Sequence, residues 1–437
     1  MSVTHQIVVF FDLSADGGDW FTLDSATKGK LDDATYVLAG NTATDITGTV
    51  SAFSINRGRA RELDEIQAGI CSFEVVNYDG EFVPEAFIPG GTYGSNTIPG
   101  KRIQILAAGI VIFDGVIQQW NLTYKADRSV SVSVVAEDSL AQLSRRRFNA
   151  WTTTGSQAPG ARITAVLDRP EVVWPPNRAI DTGVSTLQSD NVSWGSNVLN
   201  YCQLVAASDL GRFFADRTGV LTFRDRHSLV NPTIKAAFTD DGTGIPFESA
   251  VLGYGSELLY SDVSVDREGG TAQTSTSTVA RDLYGLRRLD VPGLLLDTDA
   301  QSAEMADFLL GIYSAPQPRV SALVLALDAL TAAQQAQVAA LDMADIVSLS
   351  WTPRGAPGGT LLDETGAALT DEAGLDLYVV GTSAPLTASY VVEGVGHDAA
   401  VADNHYVTLA LSPLVGAEVF VLDDTSLGLL DSGVLAF

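Results

Sequence analysis

Between Leu258 and Leu327 polar and apolar positions follow one another with little slack, and their period changes along the way. Leu259, Ser261, Val263 and Val265 alternate with Tyr260, Asp262, Ser264 and Asp266, which predicts a half-buried strand. Gly269-Gly270 turns the chain, and the return run, Thr271 to Thr278, is Thr or Ser at most positions. Branched threonines favour extended backbone but leave little apolar surface to bury, so this strand is expected at a sheet edge or facing water. Thr271, Gln273, Ser275 and Ser277 share one of its faces and are candidate contacts to another subunit. After a short turn of helix, Arg287 to Val291 reads as extended. Thr298 with Gln301 then forms a capping box that opens a helix to about Ser314, where Pro316 and Pro318 stop it.

The flanks are richer in strands. From Thr44 to Arg147, Thr49, Ser51, Phe53 and Ile55 share one face, Cys71, Phe73 and Val75 another, and Ser129 to Val134 alternates Ser with Val. Strands at such intervals, with turn residues between them, predict a small barrel or sandwich. Pro159 to Thr186 is turn-rich around one helix, Arg162 to Leu167, and marks a domain change. A helix from Ser196 to Ser208 buries Leu199, Cys202 and Val205, and a hairpin follows: Arg212 to Asp216, the Thr218-Gly219 turn, then Val220 to Arg224. Thr331 with Gln334 caps a further helix to about Leu341. New strands begin at Asp345 to Val347 and continue at Leu377 to Val380, Ser389 to Gly394 and His405 to Leu411.

The expected fold class is mainly β with α+β insertions, two small β-barrel domains plus two peripheral domains. The expected order is an N-terminal arm over 1–43, a first barrel over 44–147, α+β segments over 148–250 and 251–320, a second barrel over 321–415, and a C-terminal arm over 416–437. The two ends echo each other: Phe21-Thr-Leu23-Asp24 precedes Gly29, Leu31 and Asp32, and Phe420-Val-Leu422-Asp423 precedes Gly428, Leu430 and Asp431. A looser third copy runs from Leu361 to Asp371. Such units either add strands to a neighbour's edge, through Phe21, Leu23, Phe420 and Leu422, or close their own domain as hairpins.

Composition narrows the functional classes. A chain of 437 residues has room for two to four domains, and 46% hydrophobic against 18% charged residues suits a folded chain. With 26 basic and 53 acidic residues the net charge is -27, which disfavours direct binding to a nucleic acid. Ile7 to Phe11, an early apolar run, is too short to span a bilayer and lacks the flanks of a signal peptide, so synthesis and folding in a cytoplasm are expected. The two cysteines, Cys71 and Cys202, sit in apolar runs and read as buried and reduced.

Candidate chemistry is sparse. None of the four histidines lies in an HExxH pattern, and no GxSxG or P-loop occurs. His397 and His405, eight residues apart on strands expected to be neighbours, read as satisfied strand histidines rather than a metal pair. Asp240-Asp-Gly242 and Asp16-Gly-Gly-Asp19 read as turns, since neither has a full set of calcium ligands. Arg145-Arg-Arg147 reads as a solvated or inter-subunit surface. Trp151, Trp174 and Trp194 read as buried structural residues rather than a carbohydrate platform. No catalytic residue, cofactor or metal is expected.

Several motifs resemble a known family. Tyr260-Ser-Asp-Val263, Arg267-Glu-Gly-Gly270, Leu283-Tyr-Gly-Leu286, and Ala303-Glu-Met-Ala306 leading to Pro316-Gln-Pro-Arg319 resemble the centre of the tail-hub proteins of long-tailed bacteriophages, a family that includes contractile-baseplate hubs. Arg57-Gly-Arg59, Gly69, Asn77-Tyr-Asp-Gly80 with Phe82 and Pro84, Pro99-Gly100, and Phe113-Asp-Gly115 with Trp120 resemble the first domain of actinobacterial-phage hubs and minor tail proteins. Tyr390-Val-Val-Glu-Gly394 with His397, and His405 to Ser412, resemble the family's final barrel strands. The resemblance implies baseplate-hub architecture: a homotrimer whose two barrels per chain make six modules, matching a sixfold tail tube to a threefold tip. It also implies a virion protein of the tail tip, assembled in the host cytoplasm, that closes the DNA channel until infection. Its implied partners are a distal tail protein, the tape-measure protein and a fibre or spike, with genomic DNA only passing through. The alternatives are a hexameric distal tail protein, a receptor- or carbohydrate-binding tip protein, and a tail-associated cell-wall hydrolase.

Overall fold

The computed structural model describes residues 2–11, 42–77, 79–87, 92–126, 130–175, 177–229, 233–360, 367–370, 378–382, 385–401 and 403–414. Seven strands come first: β1 (His5–Phe11), β2 (Thr42–Asp45), β3 (Val50–Gly58), β4 (Gln67–Val76), β5 (Arg102–Ala107), β6 (Ile110–Tyr124) and β7 (Val130–Glu137). They pair antiparallel in the order β3-β4-β7-β6-β5-β1-β2. Alternation places Phe53 and Ile55, Cys71, Phe73 and Val75, and Val132 and Val134 inside, as their spacing predicts. β1 buries Ile7, Val9 and Phe11, so part of the segment expected to be an arm is a core strand. Phe21 and Leu23 lie outside the described residues, as do Asp16-Gly-Gly-Asp19, Phe420 and Leu422.

Asp138 accepts the backbone N–H groups of Leu140 and Ala141 and caps α1 (Ser139–Ser144). Beyond it lies a smaller α+β unit: β8 (Trp151–Thr152), α2 (Pro159–Leu167), β9 (Arg178–Ile180), β10 (Asn191–Val192), α3 (Val198–Ala207), β11 (Arg212–Ala215) and β12 (Leu221–Arg224). β11 and β12 form the expected hairpin, with β9 parallel beside β12. Arg162 of α2 is wholly buried. It donates to Gln157 Oε1, the Tyr201 hydroxyl and the carbonyls of Thr154 and Gln188, which satisfies its guanidinium without a carboxylate.

Next come β13 (Ile234–Thr239) and β14 (Ser249–Gly253), then the central module of β15 (Asp262–Arg267), β16 (Gln273–Thr276), α4 (Thr278–Tyr284), β17 (Arg288–Leu294) and α5 (Asp299–Tyr313). The chain continues through β18 (Arg319–Ala326), α6 (Ala332–Ala339), β19 (Ile346–Trp351), β20 (Arg354–Thr360), β21 (Tyr378–Thr382), β22 (Leu386–Ala400) and β23 (Asn404–Pro413). The capping box of Thr331 and Gln334 on α6 is complete. At α5, Gln301 reaches one residue further back than a capping box requires, so that its side chain accepts from Asp297 N–H.

β22 joins the two strand-rich regions. Its first half pairs with β19 and its second half with β3, from Gly394 opposite Gly58 to Ala400 opposite Ala52, while β23 runs along its other edge. The result is one 13-stranded sheet and one continuous apolar core, into which β13 and β14 also enter by pairing with β19 and β18. Two glycines allow the join. A Cβ on Gly58, whose φ is +96°, would lie 2.3 Å from the Glu393 carbonyl, and one on Gly394 would lie 2.7 Å from the Arg59 carbonyl.

Candidate assembly surface and the junction behind it

The central module is a three-stranded sheet in the order β16-β15-β17, with α5 packed on it. β15 is more covered than its alternation predicts, because Asp262, Val263, Ser264 and Val265 are all buried. Its polar face is covered too: Asp262 accepts from the hydroxyls of Ser261 and Thr276 and pairs with Arg281. β16 holds the sheet edge, as its lack of apolar residues predicts, and its outer backbone groups have no strand partner among the described residues.

The four residues singled out on this strand divide. Thr271 is exposed, and its carbonyl accepts from Gln273 Nε2 at 2.8 Å. Gln273, Ser275 and Ser277 are half-buried, whereas Thr274 and Thr276 are exposed. Ser277 acts locally, since its hydroxyl accepts from Ala280 N–H and caps α4.

α4 carries the feature that reading residue by residue missed. Val279 and Leu283, at i and i+4 on the helix, are 67% and 68% exposed, and Leu286, just past the Gly285 cap, is 71% exposed. That spacing was visible in the sequence, but nothing in it says that the face is left uncovered. The Arg287 side chain donates to the Ser256 carbonyl and draws alongside the end of β14, where Leu252 and Tyr254 are also exposed. Among the described residues, β14 is itself an unpaired edge of the large sheet.

Elsewhere the parts of the molecule meet at a buried ionic junction. Glu393 on β22 accepts from Arg59 at 2.7 Å, Arg212 of β11 at 2.9 Å and the Ser412 hydroxyl of β23 at 2.7 Å. Burial alone would raise its pKa, but Arg212 and then Arg59 outweigh this and hold the carboxyl at about 2. Beside it, Arg57 pairs with Asp342 at 2.8 Å, and Asp342 also accepts from Arg217 N–H.

His397 and His405 do meet, on β22 and β23, and His5 of β1 joins them. His397 Nδ1 lies 3.0 Å from His405 Nε2, and His405 Nδ1 lies 3.1 Å from His5 Nε2. These are hydrogen-bond distances between rings, and no group of three or more His, Cys, Asp or Glu among the described residues is arranged to hold a metal ion. Asp241 accepts from Thr243 N–H in the turn expected there. Arg145 pairs with Glu137, and Arg146 donates to the Val172 carbonyl.

Of the three tryptophans expected to be buried, two are half-buried and one is exposed. Trp151 and Trp174 are half-buried under Arg169 and Arg146, whereas Trp194 is 78% exposed, because it sits in a turn outside the apolar core of its unit. No described helix is long and apolar enough to cross a membrane.

No protein-family model and no curated protein matches the chain. Solved structures do. The 43 kDa tail protein of prophage MuSo2 from Shewanella oneidensis superposes with a TM-score of 0.54 at 11% identity, covering 94% of this chain and 97% of that one. The tail protein of Neisseria meningitidis MC58 gives 0.53 at 12% identity, covering 94% and 96%. The chain therefore has the fold of these two tail proteins along nearly its whole length, in agreement with the resemblance carried by its motifs.

Proposed function

We propose that this protein is a structural component of a bacteriophage tail, placed at the tail tip as a hub. The near end-to-end match in fold to two tail proteins, one of them from a prophage, carries this reading. In the proposed assembly three copies close a ring, and the two strand-rich regions of each copy supply six related modules to a sixfold tail tube. The central modules keep threefold symmetry for a fibre or spike, and the ring closes the DNA channel until infection. A distal tail protein and the tape-measure protein are its proposed neighbours, and the part of residues 1–43 beyond β1, with residues 416–437, its proposed arms. The work is done by surfaces rather than by catalysis: the β16 edge at Thr271, Gln273, Ser275 and Ser277 is proposed as one contact, with strand pairing and apolar burial holding the copies together.

Mass photometry of the purified full-length chain, with electron microscopy of tails that contain it, tests this. A threefold particle of about three chain masses around a channel is expected. A stable monomer, or a ring of six chains with one module each, overturns it.

A further inference from the structure

β14 ends the large sheet with an edge that has no strand partner among the described residues. Exposed edges are usually guarded by a charge or a proline on the strand, because an open row of N–H and C=O groups recruits further strands. Ser249-Ala-Val-Leu-Gly253 has neither. Ala250 packs on the core, while its neighbours Val251 and Leu252 are 54% and 44% exposed. Other edges differ: β16 presents Thr and Ser, β17 carries Arg288, Asp290 and Pro292, and β13 carries Lys235 and is bridged at Phe238 by Ile245. An edge that is open, apolar and unguarded along one strand is suited to receive an apolar strand.

The chain carries such a segment. Residues 415–437, outside the described residues, include eleven Val, Leu and Phe and no Lys or Arg. Val419-Phe-Val-Leu422 is an apolar run rich in strand-forming residues, set between Glu418 and Asp423. Distance decides which copy's edge it can reach. Leu252 lies opposite Val320, and Val320 opposite Leu411, so β14, β18 and β23 form one row at this level. At about 4.8 Å per strand, the slot outside β14 is about 14 Å from β23. Leu414, whose N–H donates to the Ser389 carbonyl, is about 10 Å further along the chain from that row. Setting Val419 beside Leu252 in the same copy therefore needs about 17 Å in a straight line through β18 and β14 themselves. Five residue steps reach at most about 18 Å and leave nothing for a path around those strands, whose ends run on into the central module.

We propose that the β14 edge, Ser249–Gly253, receives residues 419–422 of a second copy of this chain as an added strand. This rests on the ring reading above and names one of its contacts: each copy gives a strand to the next and takes one from the copy before it, as a closed head-to-tail ring allows.

Cysteine pairs in the full-length chain test it: Val251→Cys or Leu252→Cys, each combined with Phe420→Cys or Val421→Cys, so that both faces of the added strand are covered. Cys71 and Cys202 are buried and do not compete. After mild oxidation of the assembled protein, non-reducing electrophoresis with peptide mapping should show, for at least one pairing, most of the monomer band converted to dimer and trimer bands by disulfides between chains. Thr274→Cys on the β16 edge, combined with Val421→Cys, should give none. Independently, Phe420→Pro/Val421→Pro removes a ladder N–H in either register and should speed amide exchange of Ser249–Gly253 roughly tenfold or more while leaving β16 unchanged. A parent that is itself monomeric overturns the ring and this contact together. A trimeric parent in which no pairing links, or in which the proline variant leaves exchange at Ser249–Gly253 unchanged, overturns the contact alone. A disulfide within one chain, or a link to the β16 edge instead, also overturns it.

Discussion

His5, His405 and His397 form a chain with a direction. The Val401 carbonyl, 3.3 Å from His5 Nδ1, can only accept, so His5 carries its proton on Nδ1 and receives at Nε2 from His405 Nδ1–H. His405 Nε2 in turn receives from His397 Nδ1–H. An imidazolium donates from both nitrogens, so protonating His405 would aim two N–H groups at each other across 3.0 Å. Burial first, then the neighbouring His5, pushes His405 down to about 3 against the opposing effect of Asp328; burial, His405 and Arg57 hold His397 well below its ordinary value. Between pH 6.5 and 4.5 the unfolded chain therefore takes up protons at His397 and His405 that the folded chain refuses. Each contributes stability that is complete above this window and falls by about 1.4 kcal/mol per pH unit as the pH drops through it. Asp138, lifted by burial to about 6, titrates in the same window with the opposite sign, so comparison with a variant is needed. His397→Asn should have a stability-versus-pH slope shallower than the parent's by about 1.4 kcal/mol per unit in urea unfolding, and parallel slopes would refute the assignment. The pairing of His397 with His405 follows from their spacing, but His5, some four hundred positions away, had no local signal.

At the scale of elements, the join between β3 and β22 depends on Gly58 more than on any side chain. Its φ of +96° and the 2.3 Å approach of the Glu393 carbonyl exclude a Cβ on both conformational and steric grounds. Gly242 has a similar φ of +81° but open space around it. Gly58→Ala should therefore lower stability by more than about 2 kcal/mol, while Gly242→Ala costs only the roughly 1 kcal/mol of a left-handed non-glycine residue. Equal losses in thermal melts would refute close approach as the cause. Helix caps and hairpins were legible because their signals lie within a few residues, as at Thr331 and Gln334 or Thr218-Gly219. β15 was legible as a strand but not as a central one, since alternation marks which side is apolar and is silent about what covers the polar side.

For the whole molecule, Glu393 is the point where Arg59, just past β3, and residues of β11, β22 and β23 converge. A buried ion pair adds little over a hydrophobic substitute, but removing one partner strands the others in a low-dielectric site at a cost of about 3–5 kcal/mol. Glu393→Gln leaves Arg59 and Arg212 without their carboxylate and should lower stability by that amount in denaturant unfolding. A loss below about 1 kcal/mol would mean that the junction is solvated and does not hold the regions together. Because the folded-state pKa is depressed, this contribution is complete above about pH 4.5 and lost as the pH falls towards 2.

Alternation, turn chemistry and capping are properties of neighbouring residues, so the sequence by itself determined the mainly β class, the central hairpin and its polar edge, the caps of α5 and α6, and the apolar spacing of α4. The merging of two strand-rich regions into one sheet through β22, the histidine chain, the gathering of arginines on Glu393 and the uncovered face of α4 were decided only in the tertiary structure. Each depends on which distant segment lies across from it, and a period of two or of 3.6 residues orients a side chain without naming its neighbour.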